Sequence, residues 1–169
     1  MAELSRLNDP PAAEARAELL RCCGSSRWAA ALLAHRPFAD AASLYAAADS
    51  LWWDLEPADW REAIAHHPRI GGRDSLRARF ATTAQWAAGE QAGVDEAAEE
   101  LLAALAEANQ AYEERFGYIF IVCATGKSAE EMLALLLERL AHLPQDEIRI
   151  AAGEQAKITR IRLEKLLSP

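Results

Sequence analysis

No run of basic side chains longer than two residues occurs in this 169-residue chain, and 18 Lys and Arg against 26 Asp and Glu leave a net charge of −8. That balance argues against nucleic acid and anionic membrane surfaces as partners. Long apolar runs are missing as well. The longest, residues 28–34 and 118–124, fall far short of the ~20 residues that a spanning helix needs. The first residues, Met1-Ala2-Glu3-Leu4-Ser5-Arg6, lack the basic and apolar regions of a secretory signal. The last, Leu167-Ser168-Pro169, form no peroxisomal address. Cysteine is scarce: Cys22, Cys23 and Cys123 are odd in number and two are adjacent, so a disulfide framework is not expected and a reducing cytoplasm fits. Strand-like alternation is nearly absent too.

What is present is alanine and helical spacing. With 51% apolar content the chain can bury a sizeable core, most economically as one domain over residues 1–169. The predicted fold is all-α, a multi-helix bundle with one short extended segment near 118–124. Residues 10–22 carry apolar side chains at helical spacing, with Gly24 as a stop. Ser26 is placed to cap the next helix, which His35-Arg36-Pro37 ends. Asp40 opens a third, with Leu44, Tyr45, Ala48, Leu51 and Trp52 on one side. The longest helix is expected over 95–116, with a core stripe of Leu101, Leu105, Ala108, Tyr112 and Phe116 and Gly117 at its end. A last helix over 145–167 carries Ile148, Ala152, Ile158, Ile161 and Leu166 as its buried side. Arg162 lies on that side, where an arginine snorkels out, pairs with a carboxylate, or receives an anionic ligand.

Ala65-His66-His67-Pro68-Arg69-Ile70-Gly71-Gly72 combines a histidine pair, a helix stop and two glycines. Proline disfavours the helical region for the residue before it, so His67 is expected where the helix that begins near Pro57 ends. The negative end of the helix dipole would there favour the protonated imidazole. Beside glycines that admit a ligand to the backbone, such a histidine is a candidate acid/base group. The plain alternative is a histidine that only caps the helix.

Tyr118-Ile119-Phe120-Ile121-Val122-Cys123-Ala124 is aromatic, β-branched and too short for a helix of its own. With Gly126-Lys127-Ser128 after it, the segment superficially resembles a phosphate-binding loop. That loop needs a glycine five positions before Gly126, where Ile121 stands, and no second strand with an acidic metal ligand follows. Ser128-Ala129-Glu130-Glu131 is better read as a helix capping box. A lone extended segment leaves backbone N–H and C=O groups in need of partners, and a ligand is one candidate.

These separated pieces, His67-Pro68-Arg69-Ile70-Gly71, Glu90-Gln91-Ala92-Gly93, residues 109–124 with Gly126-Lys127-Ser128, and Ile158-Thr159-Arg160-Ile161-Arg162-Leu163, together resemble one family. It is the decarboxylase of 2-oxo-4-hydroxy-4-carboxy-5-ureidoimidazoline (OHCU), which belongs to the urate-to-allantoin branch of purine breakdown. The resemblance covers almost the whole chain in the same order. It implies an all-helical fold and a homodimer. It also implies that His67 is the catalytic histidine, that Pro68 shapes its pocket, and that Glu90 and Gln91 contact the substrate. The backbone of Phe120, Ile121, Val122, Cys123 and Ala124 would line the pocket, and Arg162 would meet a carboxylate. The family usually has a serine three residues before the glutamate; here Ala87 stands, so one hydroxyl contact is missing or replaced.

The substrate of that family carries its carboxylate next to a C=N bond, which accepts the electrons released as carbon dioxide leaves, so no cofactor or metal is required. His67 would handle the proton at the hydroxyl, Glu90 the ureido N–H groups and the imidazolium charge, and Arg162 the carboxylate. The expected product is S-allantoin. A nearby carboxylate would raise the histidine pKa, in the same direction as the helix end. Three other functions compete. A zinc hydrolase using His66 and His67 is disfavoured because adjacent helical residues point ~100° apart. A thiol hydrolase would pair Cys123 with His67, although a cysteine in an apolar run is more often inert. A helical binding or assembly module without catalysis would use the alanine-rich faces and five tryptophans for an interface.

Overall fold

The computed structural model describes residues 3–68, 76, 92–123 and 126–169, with the backbone alone for 92–97. Eight helices run through these residues, and no strand occurs among them. They are α1 (Ser5–Asn8), α2 (Ala12–Cys22), α3 (Ser26–Leu33), α4 (Ala41–Trp53), α5 (Pro57–Ala65), α6 (Ala92–Phe116), α7 (Ala129–Leu140) and α8 (Pro144–Leu166). The expected all-α fold is what forms. Residues 119–123 are neither helical nor paired into a sheet, as expected of a solitary extended segment. Ala87, Glu90, Gln91 and Ala124 lie outside the described residues, as do Gly71 and Gly72.

The chain divides into two compact units. The first holds residues 1–67, 121–123 and 148–169; the second holds 68–120 and 124–147. In the first, Leu19, Trp28, Leu32, Leu44, Ile64 and Leu163 are fully buried, each removing enough apolar surface from water to contribute about 1.5–3 kcal/mol. Three tryptophans also use their polar edge. The indole N–H of Trp28 donates to the Ala48 carbonyl, that of Trp52 to Ala152 and that of Trp60 to Trp52, each at 3.0 Å. These bonds tie α3, α5 and α8 to α4, so the helices that present the candidate site hang on one central element.

Helix ends follow side-chain chemistry, with corrections to the expected positions. Asp40 caps α4 through the Ser43 N–H, in a reciprocal capping box. Ser25, not Ser26, caps α3 by accepting from the Trp28 N–H at 3.2 Å. Ser128 caps α7 through the Glu131 N–H at 3.2 Å, so its half of the anticipated capping box forms. That helix ends at Leu140, before His142. Helix α6 starts at Ala92, earlier than expected, and stops where Gly117 takes φ +81°, a conformation that side chains resist.

Two buried stripes also differ from the expectation. On α6, Leu102 is buried in place of Leu101. On α8 the buried side runs through Ile148, Ala152, Gln155, Thr159 and Leu163, while Ile158, Ile161 and Leu166 are only half-buried. Positions three and four apart still share a face. The face simply includes two polar residues, which an apolar pattern passes over.

The second unit packs α6 against α7, with Leu105, Tyr112, Phe116, Met132 and Leu136 buried. At its centre is an ionic cluster. Glu147 Oε1 accepts from the Tyr112 hydroxyl at 2.5 Å and from Arg139 Nε at 2.6 Å, and Oε2 lies 2.9 Å from His142 Nδ1. Burial pushes the Tyr112 phenol far above its usual range, and the adjacent Arg139 cation only partly opposes this.

Candidate functional site

Helix α5 carries the histidines. Proline at its first position and an acidic first turn start it, and its backbone bonds end at His66 and His67, whose N–H groups donate to Ala63 and Ile64. Two contacts fix its placement within the first unit. The Glu62 carboxylate accepts from the Ser26 N–H at 2.7 Å and from the Ser26 hydroxyl at 2.8 Å, and these bonds hold its pKa below the usual carboxylate value. Gly24 meets the His66 ring so closely that a Cβ there would lie 2.5 Å from its Cγ. Gly24 is thus needed for this approach, and not as the helix stop its position suggests; Cys23, in extended conformation, follows α2. His66 packs outward on Gly24 and His67 turns inward.

His67 is half-buried. Its Nε2 lies 2.5 Å from Gln155 Oε1 on α8, and Gln155 Nε2 donates to Thr159 Oγ1 at 3.0 Å. Gln155 is fully buried and Thr159 nearly so. Arg162, two turns beyond Gln155 on the same face, is half-buried, and Nη1 makes a 3.4 Å contact to the Arg21 carbonyl. Among the described residues it has no carboxylate partner. Its charge nonetheless reaches His67, Cys22 and Cys23.

The His67 pKa is lowered below 6.5, opposite to the expected direction. Burial is the largest cause; the Gln155 hydrogen bond acts against it, and the charges of Arg162 and His66 reinforce it. The helix end was expected to raise it; desolvation and the Arg162 charge, neither visible in the local sequence, lower it instead. At neutral pH His67 is therefore a neutral imidazole, suited to accept a proton. Burial likewise pushes Cys22 and Cys23 up to about 11, leaving them as thiols near neutral pH. Neither is a nucleophile there.

The remaining predicted site residues divide between the units. In the first, Ile121 is buried and Val122 and Cys123 are half-buried. The Cys123 N–H finds a protein partner, the Glu154 carboxylate on α8, at 3.3 Å, so one backbone group reserved for a ligand is already occupied. In the second, Pro68 is exposed and the Phe120 ring lies under the Arg139 guanidinium at 4.6 Å. Among the described residues, no three His, Cys, Asp or Glu side chains gather as a metal site. A cavity of about 900 Å³ in the first unit is lined by Tyr45, Asp49, Trp52, Cys123, Thr159 and Arg160, among others. Neither His67 nor Arg162 lines it. It centres on the face of α8 around Arg160, about 140° from Gln155 at ~100° per residue, so size alone does not mark the chemical site.

Gln155 and Thr159 were not anticipated as site residues. The available signal was their spacing from Ile148 and Ala152 on the buried face, which places a primary amide and a hydroxyl where a leucine would pack.

Fold and site thus define an all-helical protein that holds a neutral, half-buried histidine near an arginine without a carboxylate partner among the described residues. The chain belongs to the OHCU decarboxylase family, whose model matches residues 8–164. It is 36% identical to the uric acid degradation bifunctional protein of Arabidopsis thaliana over 87% of this chain, and spans 45% of that protein's length. It is also 36% identical to the 2-oxo-4-hydroxy-4-carboxy-5-ureidoimidazoline decarboxylase of Amia calva, over 82% of this chain and 79% of that one. A crystal structure of OHCU decarboxylase in the presence of (S)-allantoin matches with a TM-score of 0.68 at 35% identity, covering 90% of this chain and 98% of the other.

Proposed function

We propose that this chain decarboxylates OHCU to (S)-allantoin in urate degradation, with His67 handling the proton and Arg162 receiving the carboxylate. The observation that carries the reading is the pairing in the first unit of a neutral imidazole with an arginine that no described carboxylate neutralises. An arginine left this way is matched to an anionic ligand. The family match over residues 8–164 and the similarity to proteins named for this reaction support it.

In the reaction the bond from the ring carbon to the carboxylate breaks. Its electron pair forms a C=C bond as the C=N electrons move onto nitrogen, which takes a proton. The hydroxyl then gives up its proton, the carbonyl forms, and the ureido-bearing carbon is protonated on one face. Neutral His67 takes the hydroxyl proton and Arg162 orients the carboxylate before it departs. An arginine that held the departing group too tightly would stabilise the ground state, and its half-exposed position moderates that. Glu90 and Gln91 bind the ureido group. The family resemblance supports Pro68, Ala87 and the backbone of Phe120, Ile121, Val122, Cys123 and Ala124 as further substrate-contacting residues. No cofactor enters, because the substrate carries its own electron sink. The family match spans segments of both units, in keeping with a single domain over 1–169. The working form is a cytoplasmic homodimer, a reading supported by the family resemblance for the dimer and by the few, odd-numbered cysteines for the compartment.

The test is decarboxylation of freshly generated OHCU, followed against its spontaneous decay by the optical activity of the product. Rapid formation of one allantoin enantiomer is expected. A rate equal to the uncatalysed decay, with racemic product, refutes the reading and favours a helical binding or assembly module.

A further inference from the structure

We infer that Gln155 is a positioning residue that holds His67 as its Nε2–H tautomer, so that Nδ1 is the nitrogen that takes the substrate's proton, and that Thr159 fixes the direction of the Gln155 amide. The inference rests on His67 being the proton-handling residue.

An imidazole in the neutral state has one N–H and one lone pair, and the partner of the first decides where the second lies. Here that partner is the Gln155 oxygen, at 2.5 Å. An amide presents an oxygen on one side and an NH2 on the other, and either can face a histidine. The Thr159 hydroxyl oxygen takes the other end, accepting from Gln155 Nε2 at 3.0 Å. The amide oxygen is thereby directed at His67. The donors run one way, from His67 to Gln155 and from Gln155 to Thr159.

Packing alone does not call for this arrangement. Gln155 has no exposed surface, and a buried amide must recover its desolvation through both ends. A leucine of similar size would fill the same space on the core face of α8. The polar chain therefore adds direction to the site rather than stability to the helix. The groups whose charge opposes protonation of His67 are Arg162 on α8 and, when itself protonated, His66 on the same turn. Cys22 and Cys23, with thiol pKa values pushed up to about 11, carry no charge near neutral pH.

Nitrogen-15 spectra of the full chain at pH 8, with the His67 signals assigned by their loss in His67→Asn, read the tautomer directly and need no variant in the core. A protonated Nε2 is expected; a protonated Nδ1 overturns the inference. Gln155→Leu should remain folded, show mixed tautomers and lose about 10- to 100-fold in kcat, as outer-shell partners of functional histidines do, with KM changed less than about threefold because Gln155 does not meet the substrate. Its acid limb should move to lower pH, since the bond that favours the imidazolium is gone. Gln155→Glu keeps the accepting oxygen and adds a negative charge, so it should keep the tautomer and move the limb to higher pH. A purely structural glutamine would not shift the two limbs in opposite directions. Full kcat and an unmoved limb in Gln155→Leu, alongside an inactive His67→Asn, sink this inference and leave the decarboxylase reading standing. An active His67→Asn removes the reading on which it rests.

Discussion

In the second unit Glu147 accepts from Tyr112 and Arg139 and lies against His142, and its side chain is wholly buried. In the first unit Gln155 accepts from His67 and donates to Thr159, and His67 remains half-exposed. The first of these clusters is charged and turned in on itself; the second is neutral and ends on a group that still reaches outward. A buried ion pair whose hydrogen bonds are made is expensive to interrupt but has nothing left to offer a ligand. A neutral chain that ends on a half-exposed imidazole has a lone pair to spend on a substrate. The same kinds of residue therefore serve stability in one place and, on the proposed reading, proton transfer in the other, and the difference lies in which atoms are left over.

Breaking the closed cluster should have the largest effect. Glu147→Ala leaves the Arg139 charge buried without that carboxylate, which costs about 3–5 kcal/mol and lowers the melting temperature by roughly 6–20 °C for a chain of this size. Replacing both partners with apolar residues, Glu147→Leu with Arg139→Met, should restore most of that loss. If the double variant melts as low as the single one, the cluster does more than hold the unit together.

Arg162→Gln tests the open cluster from its cationic side. Charge-assisted hydrogen bonds contribute about 1.5–3 kcal/mol, so kcat/KM should fall roughly 10- to 150-fold. Removing the cation also relieves one of the causes that hold His67 neutral, so the acid limb of the pH profile should move upward. An unchanged limb, measured from pH 5 to 8, would mean that Arg162 and His67 do not communicate.

The smallest effect is on stability against pH. The folded His67 binds its proton less readily than the unfolded chain, whose value is near 6.5. Its contribution to stability is fully present above pH 6.5 and is lost as the pH falls through the lower folded value, because acid favours the state that binds more protons. Denaturation of the parent and of His67→Asn should therefore diverge below pH 6.5 and run parallel above it. Divergence above that pH instead would reverse the sign of the shift.

The comparison also shows what the sequence could convey. The place of His67 at the end of α5 was legible because a proline sets it, a local steric matter. Gln155 and Thr159 were not, since a pattern of apolar spacing leaves polar residues off the core face even when they occupy it. Gly24 was misread for a related reason: the close approach of His66 from α5 leaves no trace in the residues around Gly24. Ser26 was expected as the cap in place of Ser25 because adjacent serines differ as caps only in helix phase, which the sequence does not show. The direction of the His67 shift was missed because a helix end is visible in sequence and burial is not. Helical content fared best, since it depends on residues close together in the chain.

The contrast between the clusters is tested most directly by His67→Asn, assayed for decarboxylation and melted in the same preparation. Asparagine keeps a hydrogen-bonding group at the end of α5 but exchanges no proton near neutral pH. Turnover should fall at least ~100-fold, the lower bound for lost general acid/base catalysis, while the melting temperature drops by only a few degrees, as for a change worth about 1 kcal/mol. Parent-like turnover, or a collapse of stability comparable to that of Glu147→Ala, would contradict the assignment of the open cluster to chemistry.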